Sequence, residues 1–320
     1  MFKLRALIIE HVHPVLTEKL ESSGIICDYL PDINSSEIED IIHNYEGLIL
    51  RSKISVNPAF LRKALKLKFI GRAGSGLENI DTGYADSKGV ICFNSPEGNR
   101  DAVGEHALGM LLSLFHKLCS ANNQVKNGIW NRLSNRGIEL KGKTVGIIGY
   151  GNTGSAFAKR LSGFEANVIS FDKYKYNYSD DYTREVTLDE IFYDADILSL
   201  HVPLTPETYY MADDRFISIF RKNFWLINTS RGQVLKTIDL AKNIKTGKIL
   251  GAALDVLEYE SSSFEELHAK DFPEYMQYLL ASDNVILSPH IAGWTDESNY
   301  KIADILADKI VSYFTEKLVY

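Results

Sequence analysis

Two residues with chemical potential each stand directly after an apolar run. One is Arg231, in the segment Asn-Thr-Ser-Arg-Gly at 228–232; the other is His290, in Leu-Ser-Pro-His-Ile-Ala-Gly at 287–293. A strand that hands over to a charged loop in this way suits hydride transfer at a carbonyl. That reaction needs a cation to polarise the carbonyl and hold a neighbouring carboxylate, and an acid to protonate the new alkoxide. A histidine serves best when a carboxylate orients its second ring nitrogen. Asp255, Glu258 and Glu260, which close or follow the apolar run 250–256, compete for that role. Other histidines compete with His290. His201 also closes an apolar run, His106 and His116 lie in a helical stretch, and His11, His13, His43 and His268 have no motif around them.

A hydride needs a carrier, and residues 144–154 read Thr-Val-Gly-Ile-Ile-Gly-Tyr-Gly-Asn-Thr-Gly. A strand runs into a G-x-G-x-x-G turn, a helical stretch follows at 155–161, and Asp172 comes 18 residues after the last glycine, at the end of a second apolar run. This is the dinucleotide fingerprint in context. Gly149 allows the tight turn, Gly151 lets backbone approach a pyrophosphate, and Gly154 lets helix and strand pack closely. The helix N-terminus offers N–H groups to the phosphates. Asp172 can accept from both adenosine ribose hydroxyls and repels a 2′-phosphate, so NAD(H) is expected over NADP(H). Lys173 beside it lacks the bidentate reach of an arginine.

About 140 residues precede this motif, so a second domain is built from the N-terminal part. In the first hundred residues, apolar runs at 6–9, 25–29, 48–50, 69–70 and 90–93 alternate with helical stretches near 14–22, 37–43 and 58–65. Alternating βα units imply a parallel sheet covered on both faces. Ser36 with Glu39, and Thr187 with Glu190, have capping-box spacing. Residues 101–121 read as one long bridging helix. Strands are then expected near 145–148, 168–171, 197–201, 225–228, 250–256 and 285–287, and Gly247 stops the helix 237–246. Six such strands make a doubly wound sheet. The last helix, about 297–317, is expected to fold back on the first domain. The tyrosine-rich stretch 174–182 reads as a surface loop.

The expected fold is therefore α/β, with two doubly wound parallel-sheet domains. A flavodoxin-like substrate domain takes 1–100 plus 291–320, and a Rossmann NAD-binding domain takes 101–290. With 45% hydrophobic and 24% charged residues, the composition is that of a globular chain. A net charge of -7 gives no footprint for nucleic acid or an anionic membrane. No apolar run approaches the ~20 residues of a transmembrane helix. The N-terminus reads as a short strand rather than a signal peptide. Cys27, Cys92 and Cys119 are scattered, so neither a disulfide framework nor a metal site is expected, and the cytoplasm is the expected compartment.

Ordered motifs then resemble the D-isomer-specific 2-hydroxyacid dehydrogenases over nearly the whole chain. They are 144–154 with Asp172, the His-Val-Pro-Leu-Thr-Pro-Glu-Thr segment at 201–208, 228–232, the Gly-Ala-Ala-Leu-Asp-Val run at 251–256 with Glu260 after it, and 288–293. The resemblance implies that Arg231 binds the substrate carboxylate and polarises the carbonyl. His290 would be the acid/base, with Glu260 as its partner. Asp255 would hold the nicotinamide carboxamide. His201, Val202, Pro203 and Thr208 would border the cofactor, as would Asn152, Thr153, Thr229, Ser230, Ala292 and Gly293. In the first domain, Gly-Leu-Ile-Leu-Arg-Ser at 47–52, Phe-Ile-Gly-Arg-Ala-Gly-Ser-Gly at 69–76 and Asn-Ser-Pro-Glu-Gly-Asn at 94–99 are most similar to the phosphoglycerate-oxidising members. There Ser75 would contact the cofactor, Gly74 and Gly76 would cradle the carboxylate, Ser52 and Asn99 would touch substrate, and Arg51 and Arg72 would bind a phosphate.

Some positions depart from the family pattern. Glu78 replaces an aspartate, Ser261 follows Glu260 in place of proline, and the stretch 261–283 before His290 is long, with a helical, aromatic look at 264–280. Longer relatives continue into a regulatory domain that is not expected here. The resemblance implies a homodimer, and the apolar surface of 102–118 with Trp130 and Leu133 suits that. Two other functions compete with 3-phosphoglycerate oxidation. One is reduction of glyoxylate, hydroxypyruvate or a bulkier 2-oxoacid; the other is an NAD(H)-sensing, non-catalytic corepressor.

Overall fold

A computed structural model describes residues 4–260 and 272–316. The chain divides into two compact units. Among the described residues, one takes the chain up to Asn99 and from Trp294 onward; the other takes Arg100 to Gly293.

The first unit is built from β1 (Arg5–Ile8), α1 (Val15–Ser22), β2 (Ile26–Tyr29), α2 (Ser35–Ile41), β3 (Gly47–Leu50), α3 (Pro58–Lys63), β4 (Phe69–Arg72), α4 (Thr82–Ser87) and β5 (Ile91–Asn94). All its strands are parallel, in the order β2-β1-β3-β4-β5, which is the flavodoxin-like order. Strands buried on both faces read as continuous apolar runs, as Gly-Leu-Ile-Leu does in β3. One face of the sheet packs on Ile38, Phe60 and Leu61; the other packs on Leu16, Leu20, Leu306 and Ile310. The last two belong to the chain's final helix, which lies against α1 and β4–β5. Helix α2 carries its capping box on Asn34 and Glu37, not on Ser36 and Glu39. Ser36 has the right spacing but sits inside the first turn, and its hydroxyl donates to Asn34 Oδ1.

The second unit opens with α5 (Arg100–Phe115) and α6 (Leu118–Lys126). Residues 101–121 are therefore not one helix. Lys117 adopts a left-handed φ of 50° and breaks the ladder. Then come β6 (Thr144–Ile148), α7 (Asn152–Leu161), β7 (Asn167–Phe171), β8 (Arg184–Glu185), α8 (Leu188–Asp194), β9 (Ile197–Leu200), α9 (Asp214–Ile219), β10 (Phe224–Asn228), α10 (Thr237–Lys245), β11 (Ile249–Leu254), α11 (Glu274–Ala281) and β12 (Val285–Leu287). Helix α12 (Asp296–Glu316) returns to the first unit. The sheet has seven strands rather than six, all parallel, ordered β12-β11-β10-β9-β6-β7-β8. The extra strand, β8, has two residues, too few for any period to show. Thr187 and Glu190 form the expected capping box, and Gly247 follows α10 with a φ of 77°. The tyrosine loop is only partly a surface loop, because Tyr178 stacks on the buried Tyr150 at 5.1 Å.

The apolar surface of α5 is spent within its own unit: Val103, Ala107, Met110, Leu111, Leu114 and Phe115 are all buried. The exposed apolar side chains lie further on, at Leu118, Val125, Ile129, Trp130 and Leu133. The helical expectation for 264–280 is met at α11; residues 261–271 lie outside the described part. No helix among the described residues is long and apolar enough to cross a membrane.

Candidate active site

In the second unit the strand order reverses between β6 and β9, and a doubly wound sheet binds its ligand outside the carboxyl ends of such a pair. The glycine turn sits there. Gly149 has a φ of 94°, and a Cβ on it would lie 2.5 Å from the His201 carbonyl oxygen. A Cβ on Gly154 would lie 2.1 Å from the Gly149 carbonyl oxygen, so helix α7 touches the strand end as the fingerprint requires. Gly151 instead faces open space, and no side chain caps α7. Its first amides are thus presented outward beside Asn152 and Thr153.

Asp172 is tied to the same turn. One carboxylate oxygen accepts from the Tyr150 amide at 2.9 Å, the other from the Tyr174 amide at 2.9 Å. Lys175 Nζ reaches the Tyr150 carbonyl at 2.7 Å, and the Tyr150 hydroxyl donates to Asp180. The non-glycine residue of the turn is therefore anchored at amide, carbonyl and ring.

His201 is buried with its ring turned inward. Nε2 meets Ser199 Oγ at 2.8 Å and Nδ1 meets Thr153 Oγ1 at 3.1 Å, and burial pushes its pKa down to about 3. Both ring nitrogens serve the fold, so what His201 offers at the glycine turn is its carbonyl. Val202 packs its side chain there. Thr208 Oγ1 donates to the Pro203 carbonyl at 2.6 Å and fixes the loop after β9.

The chemical residues collect at the carboxyl ends of β10, β11 and β12. After β10, Asn228 Oδ1 accepts from the amide and hydroxyl of Ser230, and its Nδ2 donates to the Arg231 carbonyl at 3.0 Å. The Arg231 guanidinium donates to the Ser230 carbonyl at 2.7 Å. Next to it, Gly232 lies so close to the turn after β11 that a Cβ would stand 2.1 Å from the Leu257 carbonyl. That contact holds the arginine loop against the loop that carries the acids.

The competition among the three acids resolves by geometry. Glu260 Oε2 lies 2.7 Å from His290 Nδ1, with both side chains mostly buried. Its other oxygen accepts from the Leu257 amide. Glu258 is turned away, accepting from the Tyr210 hydroxyl and from the Thr237 amide. Asp255, at 1% exposure, clasps the histidine loop: it accepts from Ser288 Oγ at 2.6 Å, from the Ile291 amide at 2.9 Å and from the Ala292 amide at 2.8 Å. His106, from α5, lies 3.4 Å from it. Burial alone would raise the Asp255 pKa, but the hydrogen bonds from His106, Ser288 and the two amides outweigh it and hold the carboxyl below its ordinary value. His290 itself has a left-handed φ of 55°, an uncommon backbone for a non-glycine residue, and its amide donates to the Asp255 carbonyl at 2.8 Å. Gly293 ends this loop and this unit.

In the first unit, Arg72 closes β4 opposite Leu50 in the parallel ladder, and Arg51 directly follows Leu50 at the end of β3. Arg72 Nε donates to the Arg51 carbonyl at 3.2 Å and its guanidinium lies along Gly74. Glu10 accepts from the amides of Arg51, Ser52 and Lys53 at 2.5–3.0 Å. The Ser52 amide is therefore held by the chain itself. Ser75 Oγ donates to Asn99 Oδ1 at 2.7 Å, and Asn94 Nδ2 donates to the Ser75 carbonyl at 2.5 Å, so these residues, with Gly74 and Gly76, share one corner. Sequence reasoning missed Glu10, Tyr210 and Trp294, and weighed His106 only as a rival of His290. Trp294 had the clearest signal, an aromatic just past the histidine segment.

The family model for the NAD-binding domain of D-isomer specific 2-hydroxyacid dehydrogenases matches residues 108–292. The chain belongs to that family. A D-3-phosphoglycerate dehydrogenase of Archaeoglobus fulgidus is 32% identical over 97% of this chain and 57% of its own length, so the chain spans little more than half of that relative. A hydroxypyruvate reductase of Thermotoga maritima is 34% identical over 87% of this chain and 88% of its own. The crystal structure of a D-lactate dehydrogenase from Aquifex aeolicus, complexed with NAD and lactic acid, has a TM-score of 0.83 at 27% identity, covering 98% of this chain and 96% of its own.

The dehydrogenase fold carries NAD as its cofactor, and the residues present fit it. Gly151 leaves open space before uncapped amides, which suits a pyrophosphate. Asp172 keeps acceptor capacity on both oxygens beyond the amides it already binds. Among the described residues, Thr229 Oγ1 is buried without a hydrogen-bond partner just after β10, an acceptor-donor that a bound ligand would satisfy.

Proposed function

We propose that this chain is an NAD-dependent D-2-hydroxyacid dehydrogenase whose substrate is 3-phosphoglycerate, oxidised to 3-phosphohydroxypyruvate on the way to serine. The observation that carries the chemistry is the 2.7 Å pair of His290 Nδ1 and Glu260 Oε2. Glu260 holds the ring by Nδ1, and Nε2 is the nitrogen assigned to take the proton of the substrate hydroxyl. In the reverse direction the same nitrogen protonates the alkoxide. Arg231 binds the carboxylate and polarises the C2 oxygen. NAD, held by Asp172 and the glycine turn 149–154, would supply the hydride acceptor for C2. Asp255 holds the loop of His290 in place, so the proton acceptor does not wander. The neutral ring of His201 holds Thr153 at the start of α7, where the pyrophosphate would lie. Arg51 and Arg72 are the cations for the phosphate, which guanidinium donors match well.

Several relatives named D-3-phosphoglycerate dehydrogenase favour the phosphorylated substrate. A second reading, reduction of hydroxypyruvate or glyoxylate, is favoured by relatives named hydroxypyruvate reductase and glyoxylate reductase at 34% and 33% identity. Steady-state kinetics with 3-phosphoglycerate and NAD, beside a panel of 2-oxoacids with NADH, separates the two. Arg231→Ala abolishes most turnover, and His290→Ala lowers it by roughly 10²–10⁴-fold. Near-normal rates in both variants would overturn the assignment. We further propose that the protein works as a homodimer in the cytoplasm. The exposed apolar side chains from Leu118 to Leu133 are the surface that suits a second copy.

A further inference from the structure

One contact in the first unit has no part in the chemistry so far. The Arg51 guanidinium lies over the Trp294 ring, 4.6 Å from its centroid. Trp294 is 69% exposed, so it forgoes most of the stabilisation an indole gains by burial. The Arg51 backbone is held without it. Its amide donates to Glu10, and its carbonyl accepts from Arg72 Nε and Asn79 Nδ2. The ring therefore acts on the side chain alone.

A guanidinium has five donors around its edge and none on its faces. An indole against the guanidinium carbon restricts where the side chain can swing. The edge is the part that meets an oxyanion bidentately. Arg72 pairs with Leu50, the residue before Arg51, and its Nε donates to the Arg51 carbonyl. We propose that Trp294 is a specificity-determining residue: it holds the Arg51 guanidinium in position for the dianion of a phosphorylated 2-hydroxyacid. It thereby selects phosphorylated over unphosphorylated substrates. This rests on the reading of Arg51 and Arg72 as the phosphate cations.

The test compares 3-phosphohydroxypyruvate with hydroxypyruvate, both reduced with NADH. At an exposed ring a cation–π contact corresponds to roughly 2- to 5-fold in binding. Trp294→Ala raises the KM for the phosphorylated substrate by that factor relative to hydroxypyruvate. Trp294→Phe, which keeps an aromatic face, restores most of the preference. Equal changes for both substrates in Trp294→Ala, or no recovery in Trp294→Phe, overturn the proposal. Arg51→Ala separates the two levels of inference. If it collapses the preference while Trp294→Ala leaves it intact, only the role of Trp294 fails. If Arg51→Ala also leaves the preference intact, the phosphate reading fails and the role of Trp294 falls with it.

Discussion

His201 makes the protein sensitive to acid in a defined window. Its ring is buried between Ser199 Oγ and Thr153 Oγ1, beside the Phe157 ring. Burial pushes its pKa from 6.5 down to about 3. The unfolded chain protonates this ring near pH 6.5; the folded chain does so only near pH 3. Between those values the unfolded state binds one more proton, so stability rises with pH across the window and is lost as the pH falls from about 6.5. At pH 5, about 1.5 pH units below the unfolded value, the loss is about 2 kcal/mol. Against a total of roughly 5–15 kcal/mol, that is a large share. His201→Asn keeps a polar group and removes the titration. In urea unfolding at pH 7.5, 6 and 5, the wild type should lose about 2 kcal/mol more than the variant between the ends of the range. Other acids titrate in both proteins and cancel in the difference. Because the folded ring stays neutral down to about pH 3, NAD affinity measured by fluorescence quenching should not change on account of His201 over the same range. Parallel stability curves for the two proteins would refute the reasoning.

Gly232→Ala places a Cβ 2.1 Å from the Leu257 carbonyl, so the arginine loop must move away from the acid loop. It should cost about 1–3 kcal/mol in urea unfolding and lower kcat more than it raises the Kd for NAD; unchanged kcat would mean that this apposition does not position Arg231. Asp172→Ser should narrow the preference for NAD over NADP, read as the ratio of kcat/KM values, and a wild type that already prefers NADP would contradict the role of that carboxylate. Light scattering at micromolar concentration should give twice the chain mass, and Trp130→Ser with Leu133→Ser should shift it toward the monomer; a monomeric wild type removes the dimer.

How much could be read beforehand depended on how far each signal reaches along the chain. Parallel strands buried on both faces are apolar throughout, so β3, β6 and β10 announce themselves, and the glycine turn after β6 is local chemistry. The two-residue β8 and the left-handed break at Lys117 leave no periodic trace. The α2 cap went wrong by two residues because Asn34 and Ser36 are both competent caps, and only backbone dihedrals choose between them.

The acids show the limit more clearly. Asp255, Glu258 and Glu260 sit within six residues, and spacing alone cannot say which faces His290. The choice is made by contacts distant in sequence. Tyr210 and Thr237 take Glu258, the loop 288–292 takes Asp255, and the left-handed backbone of His290 turns Nδ1 toward Glu260. A buried carboxylate must be satisfied, so each acid goes where donors already are, and the one whose partner is an imidazole becomes the candidate for chemistry. The residue types of the site were therefore legible, while their division of labour was a property of the fold.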